Sequence, residues 1–114
     1  MTYLPLTPPG QTPRRVMTIA GSDSGGGAGI QADMRTFAML GMHGLVAVTA
    51  VTVQNSLGVK GFHEVPLDVI AGQIEVVASD IGVQAAKTGM LASSEIIDTV
   101  AVYIASYADR AARC

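Results

Sequence analysis

Between Gly21 and Gly29 the chain reads Gly-Ser-Asp-Ser-Gly-Gly-Gly-Ala-Gly and runs directly into Ile30-Gln31-Ala32-Asp33. Glycines let backbone N–H groups approach a ligand and turn toward it, and a helix starting just after them adds the positive end of its dipole. Three readings compete. A P-loop is disfavoured, because no lysine and no Gly-Lys-Ser/Thr ending is present. A weak dinucleotide fingerprint exists in Gly27, Gly29 and Ala32, yet the next strand ends in Gln54 and not in an acid that would hold a ribose. The third reading is a connection that merely lets a strand and a helix pack closely. Ser22, Asp23 and Ser24 suit turn formation better than catalysis. Asp33 is either a carboxylate compensating the helix dipole in the first turn or a polar contact at the mouth of a ligand site.

Two further segments carry chemistry. Thr52, Gln54 and Asn55 form a polar group after an apolar run. A carboxamide offers one acceptor and two donors in a plane, which match an amino group beside a ring nitrogen, as Asn and Gln match adenine. An aminopyrimidine presents the same pair; an ordinary polar loop is the alternative. In Lys87-Thr88-Gly89-Met90, Met90 is either an adaptable apolar wall for a flat ring or part of the core, and Lys87 either meets an anion or reaches solvent. His43 and His63 have no partner at metal-ligand spacing, and no Ser-His-Asp arrangement stands out.

The elements that must position these residues follow from the pattern of apolar residues. A strand is predicted over 16–20, a loop over 21–29, and a helix over 30–40, where Ile30, Met34, Phe37 and Ala38 share a face and Gly41 is a natural stop. The β-branched run 45–53 predicts a central parallel strand, since it shows little polar alternation. A polar loop over 54–61 and a short edge segment over 61–65 precede a helix over 66–80, with Pro66 in its first turn. A short strand over 83–87 and a helix to about 108, capped by Ser93 or Ser94, complete the order. Such alternation implies an α/β fold with a parallel sheet and right-handed crossovers. Ligands of such sheets lie at the carboxyl ends of the strands, which selects the loops 21–29, 52–56 and 88–91.

Composition narrows the field. The chain has 114 residues with a net charge of −2, and its densest positive spot is Arg14-Arg15, too little for a nucleic-acid footprint. With five aromatics, the core must be built from aliphatic side chains. The single cysteine, Cys114, is the last residue, which excludes a disulfide framework within the chain and fits a reducing cytosol. No apolar run reaches membrane-spanning length. Residues 1–14, holding four of the five prolines, are expected to form a disordered tail without the features of a signal peptide.

Taken together, Thr18-Ile19-Ala20-Gly21-Ser22-Asp23 with Gly26-Gly27-Ala28-Gly29-Ile30-Gln31-Ala32-Asp33, then Thr49-Ala50-Val51-Thr52-Val53-Gln54-Asn55-Ser56, then Lys87-Thr88-Gly89-Met90-Leu91, resemble the N-terminal portion of the hydroxymethylpyrimidine/phosphomethylpyrimidine kinases of thiamine biosynthesis, in order and spacing over about residues 16–110. Ser24-Gly25 stands where many relatives have Pro-Ser. The resemblance implies a three-layer α/β/α ribokinase-like fold, here as an incomplete N-terminal half with three main strands and three helices over 15–114. It implies a cytoplasmic enzyme that uses ATP with Mg²⁺ to phosphorylate 4-amino-5-hydroxymethyl-2-methylpyrimidine and then its monophosphate. Gln54 would read the aminopyrimidine edge, and Gly21, Asp33, Thr52 and Met90 would line the same pocket. Family members are much longer. The nucleotide-binding half, a late Gly-Thr-Gly-Cys-like segment and the catalytic base are expected outside this chain, leaving it without catalytic residues or metal ligands and inactive alone. The expected partner is a small-molecule substrate, without nucleic acid or membrane, and the complete protein is compatible with a homo-oligomer. A pyridoxal-kinase-like enzyme and a non-catalytic small-molecule-binding α/β module are the alternatives.

Overall fold

A computed structural model of the chain describes residues 10–112, with side chains through residue 107. The order is β1 (Arg15–Ala20), α1 (Gly29–Met39), β2 (His43–Val48), β3 (Ala50–Asn55), β4 (Gly58–Glu64), α2 (Leu67–Asp80), β5 (Ala85–Thr88) and α3 (Ser94–Ala112). β1, β2 and β5 form a parallel sheet in the order β2-β1-β5. Alternate residues of a strand face opposite sides. Met17 and Ile19 of β1, with Leu45 and Ala47 of β2, therefore pack against Ile70 and Ile74 of α2 and Ile96 and Val100 of α3. Full burial of each large aliphatic side chain contributes about 1.5–3 kcal/mol. Thr18 and Ala20 point to the opposite face, which α1 covers, burying Phe37. The result is the expected three-layer arrangement.

Helix starts follow local chemistry. Ser93 is the capping residue of α3: its Oγ accepts the Ile96 N–H at 3.2 Å. Pro66 stands just before α2 rather than within it, and its carbonyl accepts the N–H groups of Val69 and Ile70.

The structure departs from the sequence-based expectation in the run 45–53. It is not one central strand. β1 occupies the centre, β2 lies beside it, and the run breaks at Thr49, after which β3 pairs antiparallel with β4. Thr49 is fully buried, and its polar groups are taken by three different segments. Its N–H donates to Ala20 O and its carbonyl accepts the Val65 N–H, both at 2.9 Å. Its hydroxyl donates to Met90 O at 2.9 Å. A run of β-branched residues does not reveal such a change of partner, because both halves are strand-like. Next to the break, the Gln73 carboxamide of α2 brackets Val48, accepting its N–H at 2.9 Å and donating to its carbonyl at 3.0 Å.

The expected polar loop over 54–61 is instead a hairpin whose strands are joined by Ser56 and Leu57. Asn55 serves its turn, its Oδ1 accepting the Leu57 N–H at 2.8 Å. Among the described residues there are five strands where three main ones were expected; the hairpin supplies the excess, and β4 takes in most of the expected short edge segment 61–65. Most of the expected disordered tail lies outside the described residues; of the remainder, Arg14 already accepts the His43 N–H through its carbonyl. β5 stands at a sheet edge among the described residues, and its four residues are exposed. No helix among the described residues is long and apolar enough to cross a membrane.

Thr49→Val keeps the shape of the side chain and removes the hydroxyl that holds Met90. We expect it to lower unfolding free energy by about 1 kcal/mol, read as a reduced urea midpoint at unchanged slope. An unchanged midpoint would show that this hydrogen bond adds nothing to stability.

Candidate active site

The backbone ladder between β1 and β2 continues beyond both strands. After Thr49 donates to Ala20, the Ser22 N–H donates to Ala50 O at 2.9 Å. Side chains then take over. The Thr52 N–H donates to Ser22 Oγ at 3.2 Å and its buried hydroxyl donates to Ser22 O at 2.7 Å. Ser24 Oγ accepts the Gln54 N–H at 2.7 Å and also donates to the Gln54 carbonyl. Ser22 and Ser24 thus fasten the glycine-rich loop along β3, a role beyond the turn formation expected of them.

Asp23 organises the loop from inside. Its Oδ1 accepts the Gly25 N–H at 2.8 Å, and its Oδ2 accepts those of Gly27 at 2.9 Å and Ala28 at 2.8 Å. Its own N–H donates to Gln31 Oε1 at 2.8 Å. Burial raises the Asp23 carboxyl, but the N–H groups of Gly25, Ala28, Gly27 and Gly26 outweigh it, so the group lies below its ordinary range. An internal carboxylate thus takes the place an external phosphate would occupy in a cradle of glycine amides. Gly29 closes the loop at φ 61°, and a side chain there would begin 2.5 Å from Gly21 O, a position only glycine fits.

Asp33 lies in the second turn of α1, whose first turn carries no acid, so the dipole-compensating reading does not hold. The carboxylate instead reaches across the sheet. Its Oδ2 accepts the Thr18 hydroxyl at 2.6 Å and the Lys87 ammonium at 2.9 Å. Partial burial pushes this carboxyl up, while the Thr18 hydrogen bond and the Lys87 hydrogen bond and charge hold it below its ordinary value. Lys87, left open between an anion and solvent, meets an anion. Thr18 was missed by the sequence analysis, although it is the one polar residue in the apolar run Val16–Ala20.

The other candidates fall around this floor. A side chain on Gly21 would begin 3.0 Å from Met90 Cε and 3.4 Å from Ala50 O. Gly21 therefore leaves room for Met90, which is itself 47% exposed and so is not part of the core. Gln54 stands two residues beyond Thr52 on β3, at the register shift of the hairpin, and its main chain is held by Ser24. The structure thus brings together the turns after β1, β2 and β5, with Gly21, Thr52 and Met90 in linked contacts. Asp33 joins them through Lys87, whose Nζ lies 3.6 Å from where a Gly89 side chain would begin. A separate apolar cavity of about 160 Å³ opens on the opposite face of the sheet, between Met17, Ile19, Ile74 and Tyr103. It carries none of these polar groups and is a gap in the core layer. Among the described residues no group of three or more His, Cys, Asp or Glu is placed to hold a metal.

Comparison with known proteins gives a consistent result. The family model for phosphomethylpyrimidine kinase matches residues 23–111. A hydroxymethylpyrimidine/phosphomethylpyrimidine kinase of Mycobacterium tuberculosis is 78% identical over 101 residues, which cover 89% of this chain and 37% of the relative. The chain therefore spans little more than a third of that relative's length. A crystal structure of phosphomethylpyrimidine kinase from Clostridium difficile superposes with a TM-score of 0.79 at 45% identity, over 82% of this chain and 41% of that one. A Staphylococcus aureus pyridoxal kinase in complex with AMP-PCP and pyridoxal has a TM-score of 0.75 at 39% identity, over 84% of this chain and 36% of that one. The α/β architecture is the ribokinase-like one that the sequence resemblance implies.

Because the folded-state Asp23 carboxyl is depressed, its contribution to stability is complete above the unfolded value of about 3.9 and disappears as pH falls through the folded value. Asp23→Ala is therefore expected to lower the unfolding midpoint at pH 7, with the gap to the unsubstituted chain closing only below about pH 4. Equilibrium unfolding of both chains across pH 3–7 checks this; a gap independent of pH would remove the carboxylate's charge from the account.

Proposed function

Because the chain belongs to the phosphomethylpyrimidine kinase family, we propose that it supplies the pyrimidine-binding part of a cytoplasmic kinase that phosphorylates 4-amino-5-hydroxymethyl-2-methylpyrimidine and its monophosphate. The observation carrying this reading is the mutual bonding of three strand-end turns through Thr49, Ala20 and Met90. In this reading Gly21, Asp33, Thr52, Gln54 and Met90 line one small space beside these turns, and the flat ring lies against Met90 and the bare backbone of Gly21. The Gln54 carboxamide pairs with the amino group and adjacent ring nitrogen, and Asp33 accepts a ligand N–H or O–H. Thr52 acts through Ser22, holding the roof.

ATP is the phosphoryl donor of the proposed reaction and Mg²⁺ its metal cofactor. The glycine-rich loop does not fit the triphosphate, because Asp23 already takes its N–H groups and would repel a second anion. We assign nucleotide binding and catalysis to parts of the protein other than this chain, which binds and orients the small-molecule acceptor and is inactive by itself. Phosphoryl transfer rests on positioning and charge stabilisation, and this chain supplies the first of these for the acceptor. The likeness to pyridoxal kinases supports a second reading, in which the same pocket takes pyridoxal.

Titration calorimetry with both compounds separates the two readings. The pyrimidine is expected to bind more tightly than pyridoxal, and the reverse order would overturn the assignment. In a complete enzyme carrying this segment, Gln54→Ala is expected to weaken pyrimidine binding about five- to tenfold while leaving the nucleotide affinity unchanged. Equal losses for both ligands would remove Gln54 from the pyrimidine site.

A further inference from the structure

Lys87 and Thr18 approach Asp33 in an unusual way: both donate to the same oxygen. Thr18 Oγ1 reaches Oδ2 from the central strand at 2.6 Å, and Lys87 Nζ reaches it from β5 at 2.9 Å. Thr18 is completely buried, so its hydroxyl has a fixed direction. The Lys87 side chain is 44% exposed, and its ammonium turns back to Asp33 and lies beside Gly89. The nearest cation on α1, Arg35, is bonded to the Gly26 carbonyl. Two donors on one carboxylate oxygen fix both the rotation of the group and which oxygen remains for a third partner. A lysine so placed also balances the charge that Asp33 brings to a partly enclosed site.

We infer that Lys87 and Thr18 are positioning residues of the pyrimidine site, holding Asp33 by Oδ2 so that Oδ1 accepts an N–H or O–H donor of a neutral heterocyclic ligand. This inference rests on the pyrimidine reading above. Neither residue touches the ligand; each acts through Asp33. Their effect therefore depends on the carboxylate being there, which separates them from residues that merely stabilise the fold.

The experiment is calorimetric titration of the chain with 4-amino-5-hydroxymethyl-2-methylpyrimidine, with circular dichroism and urea unfolding of every variant. Lys87→Met is expected to raise Kd about tenfold, and Lys87→Arg, which keeps a cationic donor, to restore it to within about threefold. Thr18→Val is expected to weaken binding about fivefold and Thr18→Ser to recover it. In an Asp33→Asn background, Lys87→Met is expected to add less than about twofold, because the group through which it acts is already altered. Full additivity in the double variant, or unchanged affinity for Lys87→Met, would overturn the inference while leaving the pyrimidine assignment standing. Failure of the unsubstituted chain to bind the pyrimidine would instead overturn the assignment, and the inference with it.

Discussion

A buried threonine at a point where the chain changes partners is the constraint on which the site depends. Thr49 ends the parallel pairing of β2 with β1 and begins the antiparallel pairing of β3 with β4. A strand that changes sheets leaves main-chain groups without ladder partners, and an unpaired buried group costs about as much as a lost hydrogen bond. Here the partners come from the last residue of β1, the residue following the hairpin and the turn after β5. Satisfying one residue therefore brings together the ends of β1 and β5 and the bend after β2, where the proposed pocket lies. The shape of the site and the stability of the bend have the same origin.

The glycine-rich loop shows how a composition suited to anion binding can serve another purpose. Its amides converge, as they do around a phosphate, but the anion is Asp23 of the same loop. Charge and donors are matched internally, so the loop is preorganised before any ligand arrives. The serines on either side of Asp23 tie the loop to β3, and Gly29 lets α1 start directly against Gly21. A loop that looks like a ligand cradle in sequence is bonded internally and to β3 in the structure, and the proposed ligand contacts fall instead to residues such as Asp33 and Met90.

Much of this was legible in the sequence where a residue's role depends on neighbours close in the chain. Periodicity located α1 and α2 to within a residue or two, and glycine spacing marked the loop. The rule that ligands of parallel sheets lie at the carboxyl ends of the strands selected the loops 21–29 and 88–91, which the structure brings together at Gly21 and Met90. What escaped were features set by distant partners. The run 45–53 is uniformly strand-like, so nothing in its pattern announces a break at Thr49. The 54–61 segment contains polar and glycine residues that suit a loop as well as a hairpin, and only the pairing of β3 with β4 decides between them. Lys87 and Asp33 are 54 positions apart, and their ion pair exists only because β5 lies next to β1. Thr18 did leave a trace, as a hydroxyl in an otherwise apolar strand.

The Gln73 bracket around Val48 has a further consequence. Backbone groups of successive strand residues point alternately to either side. Thr49 directs its N–H toward β1, so the backbone groups of Val48 point away, along the flank of β2 that pairs with no other strand among the described residues. By presenting an acceptor and a donor at strand spacing, the glutamine imitates one residue of an additional strand without being one. A foreign chain that tried to extend the sheet there would find its last docking position filled. A single side chain on a covering helix thus occupies the one edge position of Val48 that an added strand would need, where natural sheets more often use charges or prolines to discourage edge pairing.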